Sequence, residues 1–261
     1  MRPTWTGMLS FGLVNIPVGM YTATESNDIS FHMIHAEDGG TIKQQRVCTR
    51  CGEVVAYGDL VRGYEYEKGK HVTLTDEDFK SVRAESSGAI EITDFVDPDD
   101  IDPIYFESPY YLAPDKKSGK AFALLREALR ATKKVALAKI VLRTREHLCA
   151  VRVSGDNLVL ETMRYADEVR DSSSLPKGEA EVGEREIKMA EMLIETMTSK
   201  FEPEKYKDTY TAGLQEVIEK KLAGEDVKVE TKEREATEVI DLLAHLKASI
   251  EQSERVRDKA A

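Results

Sequence analysis

The chain has 261 residues, of which 41% are hydrophobic and 33% are charged, and its formal net charge at pH 7 is −11. This length allows one sizeable core and a smaller additional region. The sequence has no apolar run approaching the ~20 residues of a membrane span and no secretory signal pattern at its start. Its three cysteines, an odd number, do not favour a disulfide scaffold. These features predict a soluble cytoplasmic protein that does not bind membranes.

The charge is unevenly distributed, which matters because a uniformly acidic surface repels nucleic-acid phosphates. Residues 71–114 contain 2 basic and 11 acidic side chains, whereas residues 115–152 contain 11 basic and 3 acidic ones, a local net charge of +8. Residues 41–70 add +2, and residues 161–261 contribute −8. Such segments are either solvated faces or anion-binding surfaces, and charge alone does not decide between them.

Short strands are predicted along much of the chain. The segments with apolar or alternating patterns are residues 8–18, 29–35, 61–66, 70–74, 90–96, 104–112, 135–142, 147–153 and 158–165. Gly12 and Pro17 indicate that the first segment leads into an edge or bend. Pro103 and Pro109 restrict the sixth segment in the same way. The turn at Lys68-Gly69 predicts a hairpin between the third and fourth segments.

Two helices are predicted among these strands. Thr75 and the three acids after it indicate the N-terminus of a short helix that ends near residue 84. Residues 120–132 have apolar side chains at helical spacing and predict a longer helix. Many short strands with so few helices favour an α+β fold built on a β-barrel or closed sheet over an alternating α/β fold.

A change of composition at residues 171–178 predicts a hinge between two regions, residues 1–175 and residues 176–261. Beyond it, apolar residues recur at helical spacing in three stretches, which predict a C-terminal helical arm. The last stretch has an apolar stripe formed by Val239, Leu242, Leu243 and Leu246. This stripe either packs within the arm or binds a partner protein.

Several motifs resemble those of the bacterial Ku proteins, in the same order. They are RPTWTGMLSFGLVNIPV at residues 2–18, ISFHMIH at 29–35, GYEY at 63–66, IDPIYFE at 101–107, YYL at 110–112 and RYADEVR at 164–170. The resemblance covers essentially the whole chain and is most specific over residues 1–175. It implies a Ku-type β-barrel core with a DNA bridge at about residues 42–62, followed by a helical arm that recruits a ligase.

The resemblance also implies a function. Bacterial Ku proteins bind double-stranded DNA ends as ring-shaped homodimers, protect those ends and recruit DNA ligase D in non-homologous end joining. The chain is therefore expected to be a nucleoid-associated DNA-repair protein without enzymatic activity and without a required cofactor. It ends at Ala261 without the long lysine-rich tail of many relatives, so DNA affinity that depends on such a tail is not expected.

A ring of this kind needs no base-reading residues, because Lys and Arg contacts to phosphates position the duplex and release counterions. The predicted DNA-binding residues lie on the bridge and around the longer helix: Lys43, Arg46, Arg50, Arg62, Lys116, Lys117, Lys120, Arg126, Arg130, Lys133 and Lys134. For each of them the alternative is a solubilising surface cation. The acidic residues 94–102 are expected to lie outside the channel.

Cys48-Thr49-Arg50-Cys51-Gly52 has the spacing of half a zinc knuckle. Tetrahedral zinc needs four ligands and the sequence has no second such pair, so the other two thiolates would come from the second protomer of a dimer. The alternatives are a redox-active pair or two unrelated loop cysteines. Cys149 lies far away in a predicted strand and is expected to be a buried core residue.

Two other function classes remain open. The cysteine pair and the basic segment are compatible with a zinc-containing nucleic-acid-binding regulator. A nuclease would need a metal-binding acidic cluster, for which residues 97–102 are the nearest match, although a Pro-flanked loop is more typical of a solvated turn. No Ser/His/Asp set or phosphate-binding loop has a recognisable spacing, so catalysis is not expected.

Overall fold

The computed structural model describes residues 1–82, 87–178, 182–225 and 249. Its internal contacts divide the chain into two units, residues 1–26 with 30–172 and residues 27–29 with 173–261. Among the described residues, the first unit contains nine strands and two α-helices, and the second contains two further α-helices. None of the described helices combines the length and the apolar character needed to cross a bilayer.

The strands are β1 (Trp5–Phe11), β2 (Val14–Thr22), β3 (Arg62–Glu67), β4 (Lys70–Leu74), β5 (Ala89–Val96), β6 (Phe106–Pro114), β7 (Val135–Leu142), β8 (Arg145–Ser154) and β9 (Asn157–Met163). The α-helices are α1 (Asp76–Ser81), α2 (Gly119–Thr132), α3 (Glu184–Met197) and α4 (Thr209–Leu222). The hairpin predicted across Lys68-Gly69, the strand predicted at residues 90–96 and the helix predicted at residues 120–132 are confirmed.

Seven strands form a closed barrel in the order β1-β2-β6-β9-β8-β7-β5. Neighbouring strands are antiparallel except β1 and β5, whose parallel pairing of Met8–Ser10 with Ala89–Glu91 closes the barrel. The other two strands, β3 and β4, form a separate hairpin within the segment 23–88, which joins β2 to β5. The predicted α+β fold with a β-barrel core is confirmed.

The barrel interior is the main hydrophobic core. Its fully buried members include Leu9, Ile16, Ile90, Ile140 and Leu160. The apolar face of α2, formed by Phe122, Leu125 and Leu129, belongs to the same cluster. Burial of each large apolar side chain contributes about 1.5–3 kcal/mol, so this cluster stabilises both the barrel and the position of α2. Cys149 is fully buried here, as predicted, and burial raises the pKa of its thiol to about 12.

Two of the predicted strands differ from the observed ones. Residues 8–18 form parts of two strands, β1 and β2, because Gly12 adopts φ = +56° and the chain reverses there. Residues 29–35 were expected to be a strand, and the structure shows only an isolated bridge between Ile34 and Thr41. A short apolar run contains no information about a pairing partner, which explains this second difference.

Pro109 lies inside a barrel strand. β6 pairs with β2 on one side and with β9 on the other, so an edge position is excluded. The alternative, a bend, is provided by a register shift between Phe106 and Pro109 in the ladder with β9. At such an irregularity the missing N–H of proline interrupts no regular ladder hydrogen bond.

The short helix α1 begins where Thr75 predicts it. Thr75 Oγ1 accepts a hydrogen bond from the Asp78 N–H at 3.3 Å, and the Asp78 carboxylate accepts one from the Thr75 N–H at 2.7 Å. This reciprocal arrangement is a capping box, and its hydrogen bonds hold the pKa of Asp78 below its usual value. The helix ends at Ser81, and residues 83–86 lie outside the described part of the chain.

Two helices form where the first two helical stretches beyond residue 178 predict them. Asp208 caps the N-terminus of α4, because its carboxylate accepts hydrogen bonds from the N–H groups of Tyr210 and Thr211 at 3.0 and 3.1 Å. Many apolar side chains of both helices are solvent-exposed, including Ile194 and Tyr210. The predicted partner-binding stripe lies outside the described residues: Val239, Leu242, Leu243 and Leu246.

The end of α2 contains a strained residue that provides a stability test. Lys133 has φ = +53° and ψ = +31°, a left-handed conformation that costs a non-glycine residue about 1–2 kcal/mol. Glycine adopts this conformation with little strain. We therefore expect Lys133→Gly to raise the free energy of unfolding by about 0.5–1 kcal/mol in a urea titration. Lys133→Ala retains the strain and should not stabilise the chain.

The closure of the barrel provides a second stability test at Gly7. A Cβ atom at this position would overlap the backbone carbonyl oxygen of Gly88 and the ring of Trp5. Because backbone cannot move aside cheaply, Gly7→Ala should lower the free energy of unfolding by about 1–3 kcal/mol. Gly58→Ala is the matched control, since its Cβ would meet open space. Equal effects of the two substitutions would contradict the role assigned to Gly7.

Candidate nucleic-acid interface

Two of the predicted DNA-binding arginines are engaged within the chain. Arg126 contacts Glu127 at 3.0 Å and the Asp156 carbonyl oxygen at 2.7 Å. Arg130 contacts Glu127 at 2.8 Å and the Gly155 carbonyl oxygen at 2.6 Å. The hydrogen bonds from Arg126 and Arg130 hold the pKa of Glu127 below its usual value. Both arginines thus tie α2 to the turn between β8 and β9, a structural role with which phosphate binding would compete.

The acidic loop after β5 contacts the basic segment. Lys134 Nζ lies 2.8 Å from Asp97 Oδ1, so one predicted channel residue is paired with the loop that was expected to lie outside the channel. The Asp102 carboxylate accepts a hydrogen bond from the Ile104 N–H at 2.9 Å and caps the next turn. These contacts are those of a solvated turn, as the sequence indicated.

Eight of the eleven predicted cations have no carboxylate of the described residues within 4.0 Å of their charged groups. Six of these eight also make no contact with an aromatic ring in that part of the chain: Lys43, Arg50, Lys116, Lys117, Lys120 and Lys133. Three of these lysines lie on or beside the link between β6 and α2. Ser118 fixes this link, because its Oγ donates to the Pro17 carbonyl oxygen at 2.7 Å. At ~1.5 Å per residue, Lys120 and Lys133 lie about 20 Å apart along α2. Unpaired cations therefore flank both ends of one helix that is anchored in the core.

The remaining two predicted cations stack on aromatic rings. The guanidinium carbon of Arg46 lies 5.1 Å from the centroid of the Tyr57 ring, and that of Arg62 lies 4.5 Å from the Phe79 ring. Stacking occupies the flat face of a guanidinium group, whereas its N–H donors point outward in the plane. Both groups are therefore oriented and still able to bind an anion.

The segment 23–88 exposes apolar surface that the sequence analysis did not identify. Tyr57, Val61 and Tyr64 are 77%, 74% and 64% exposed. Tyr64 pairs with Val72 across the β3–β4 hairpin, so one face of the hairpin is apolar, yet none of its residues is buried. A two-stranded hairpin alone is marginally stable in water. The alternation of aromatic and polar residues in β3 is the sequence signal that could have revealed this surface.

Residues 46–55 form a tight loop around the two cysteines. The Cys48 N–H donates to the Glu53 carbonyl oxygen and the Gly52 N–H donates to the Cys48 carbonyl oxygen, both at 2.9 Å. Gly52 has φ = +75°, which favours glycine. The Cys48 sulfur accepts hydrogen bonds from the backbone N–H groups of Cys51 and Arg50, which lower the pKa of its thiol. The loop therefore favours a thiolate at Cys48.

The loop by itself does not complete a metal site. Within the described residues, no group of three or more His, Cys, Asp or Glu side chains is arranged to hold a metal ion. Cys48 is partly exposed and Cys51 is exposed, so both thiols are accessible from outside. A tetrahedral zinc site with these two thiolates needs two further ligands from elsewhere.

Comparison with known proteins places this barrel in a family. A family model described as the Ku70/Ku80 beta-barrel domain matches residues 10–189. Relatives named "Non-homologous end joining protein Ku" are 44% identical in Opitutus terrae, 43% in Bacillus subtilis and 41% in Mycobacterium tuberculosis. These alignments cover 97%, 98% and 100% of this chain and 92%, 83% and 97% of the relatives. The matched model and the near-full-length similarity show that the chain belongs to the Ku family.

Proposed function

We propose that the chain binds the ends of double-stranded DNA, regardless of their sequence, and protects them during double-strand break repair by non-homologous end joining. The observation that carries this proposal is the similarity, over nearly the whole chain, to relatives named for that pathway. The matching barrel and the unpaired cations beside it support the same function.

Local charge supports phosphate binding despite the net charge of −11. Lys116, Lys117 and Lys120 have no carboxylate partner among the described residues, so their attraction for an incoming polyanion is not cancelled within the chain. Cations of this kind release counterions when they contact phosphates. Contacts to phosphates alone give no sequence preference, as a protein that must bind any broken end requires.

The proposal includes a homodimer that surrounds the duplex as a ring. The exposed apolar face of the β3–β4 hairpin and the exposed Tyr57 and Val61 support self-association, because a contiguous apolar surface is unfavourable in water. A closed ring admits DNA only at a free end. End binding then follows from topology and needs no residue that recognises the end chemically.

We also propose that the C-terminal region recruits DNA ligase D. Its support is the exposed apolar surface of α3 and α4, together with the apolar stripe of the sequence at residues 239–246, since amphipathic helices commonly dock into grooves of partner proteins. Association with the nucleoid would follow from DNA binding. No catalytic activity is part of the proposal.

Threading through a ring predicts a strong preference for free ends. In a competition gel-shift assay, linear duplex DNA should displace a labelled linear duplex, whereas closed circular DNA of the same sequence should not. Equal competition by the closed circle would contradict the ring. A marked sequence preference would support the zinc-containing regulator instead, and Mg²⁺-dependent degradation would support a nuclease.

The same assay, run at several salt concentrations, tests the lysines. Each phosphate contact adds about 0.9 to the slope of log affinity against log salt. Because both protomers of the proposed dimer carry it, the double substitution Lys117→Gln with Lys120→Gln removes four phosphate contacts and should flatten the slope by roughly 3.6. Lys188→Gln, at an exposed position of α3, is the matched control and should leave the slope unchanged.

We propose in addition that Cys48 and Cys51 bind a structural zinc ion shared between two protomers. The loop geometry supports this, because backbone N–H groups directed at the Cys48 sulfur favour the thiolate that zinc requires. The lack of a third ligand among the described residues favours sharing, with two thiolates from each protomer. Such an ion would hold the two bridges together over the DNA.

Metal analysis of the purified chain should find one zinc ion for every two chains. Cys48→Ser should abolish zinc binding, whereas Cys149→Ser, at a buried position with a raised thiol pKa, should leave the zinc content unchanged. One zinc ion per chain would exclude the shared site. An absence of zinc from protein purified without chelators would contradict the metal proposal altogether.

A further inference from the structure

An open hollow of about 800 Å³ lies between α1, the start of β3 and the turn from β7 to β8. The side chains around it that matter here are Arg62, Phe79, Lys80, Thr144, Arg145 and Glu146. It is far larger than the ~30 Å³ that one water molecule occupies in the liquid, and it is open to solvent. Of its cations, only Arg62 was predicted to bind DNA, so Lys80 and Arg145 are additional.

The described residues around the hollow have an excess of positive charge. Three cations, Arg62, Lys80 and Arg145, have no carboxylate of the described residues within 4.0 Å of their charged groups. Glu146 is one of the two described carboxylates that line the hollow, and its Oε1 lies 2.9 Å from Lys139 Nζ. Lys139 itself does not line the hollow. Asp76 is the other lining acid, so among the described lining residues three cations face one unengaged carboxylate. Arg126 and Arg130, in contrast, both bond Glu127.

The two arginines are held by different constraints. The Arg62 guanidinium stacks on Phe79 at 4.5 Å, which leaves its in-plane N–H donors available to an anion. Arg145 is the first residue of β8 and pairs with Leu142 across a two-residue turn. Because Arg145 lies in a strand of the closed barrel, its backbone is already ordered when a ligand arrives, which lowers the entropic cost of binding.

We propose that this hollow binds phosphate groups of the DNA backbone, with Arg145 and Lys80 as phosphate contacts beside Arg62. The inference rests on the proposed DNA-end binding and adds a second contact region to the lysines around α2. Guanidinium and ammonium donors, together with the Thr144 hydroxyl, match the oxygens of a phosphodiester. The hollow is open to solvent, which suits a continuous strand, and contacts to phosphates alone give no sequence preference.

Binding of linear duplex DNA by the full-length chain, measured by fluorescence anisotropy at several salt concentrations, tests this assignment. Because both protomers of the proposed dimer carry it, Arg145→Gln removes two contacts and should flatten the slope of log affinity against log salt by about 1.8 and weaken binding about sixtyfold at 0.1 M salt. Lys80→Gln should act in the same direction. Arg145→Lys keeps the charge and should restore most of the slope, and Lys188→Gln should behave as wild type.

The outcomes separate this inference from the proposal on which it rests. A wild-type chain that does not prefer linear duplex contradicts the proposed function itself. A second result is that the wild-type chain prefers linear duplex while folded Arg145→Gln and Lys80→Gln leave the salt slope unchanged. That result contradicts DNA binding by the hollow and leaves the proposed function intact. Inorganic tripolyphosphate is the second probe. If Arg145→Gln loses affinity for tripolyphosphate and keeps the DNA slope, the hollow binds a free polyphosphate and the DNA assignment is wrong.

Discussion

The parallel pairing of β1 with β5 is the constraint on which the rest of the first unit depends. It closes the seven-stranded barrel, and it anchors the long segment 23–88, which leaves the barrel after β2 and returns at β5. β1 lies between β2 and β5 in the closed sheet. The segment therefore starts and ends on two strands that are separated by β1 alone. The exposed apolar hairpin and the cysteine loop are thus carried by an insertion whose base is set by the closed sheet.

Ion pairing within the chain decides which cations are available to phosphates. Residues 115–152 have a net charge of +8, yet at least five of their eleven cations pair with carboxylates of the described residues: Arg126, Arg130, Lys134, Lys139 and Arg152. Arg152, for example, forms a two-point contact with Glu161. The cations without a carboxylate partner among the described residues include Lys116, Lys117 and Lys120 beside α2 and Arg145 at the hollow. An acidic protein can in this way retain small regions of uncancelled positive charge.

Sequence patterns predicted the elements that local physics determines. Thr75 specified a helix start through contacts three residues away, and the periodicity of residues 120–132 specified α2 because its apolar face needs only a core to bury it. Features that depend on distant partners were missed. The segment 29–35 has the composition of a strand but pairs with no other strand. Arg145 and Lys80 are far apart in the sequence, and only the folded chain brings them to the same hollow. No pattern of neighbouring residues contains that information.

The order of the strands also has a consequence for folding kinetics. β7, β8 and β9 follow one another through two-residue turns, whereas Leu9 and Ile90, which pair at the closure, are 81 positions apart in the chain. Local pairings form quickly, and closing a long loop costs more entropy. We therefore expect the β7–β8–β9 meander to form first and β1 to dock on β5 late. The segment 23–88, which carries the surface proposed to join two protomers, would then be held at both ends only after the barrel is complete, so that assembly follows folding.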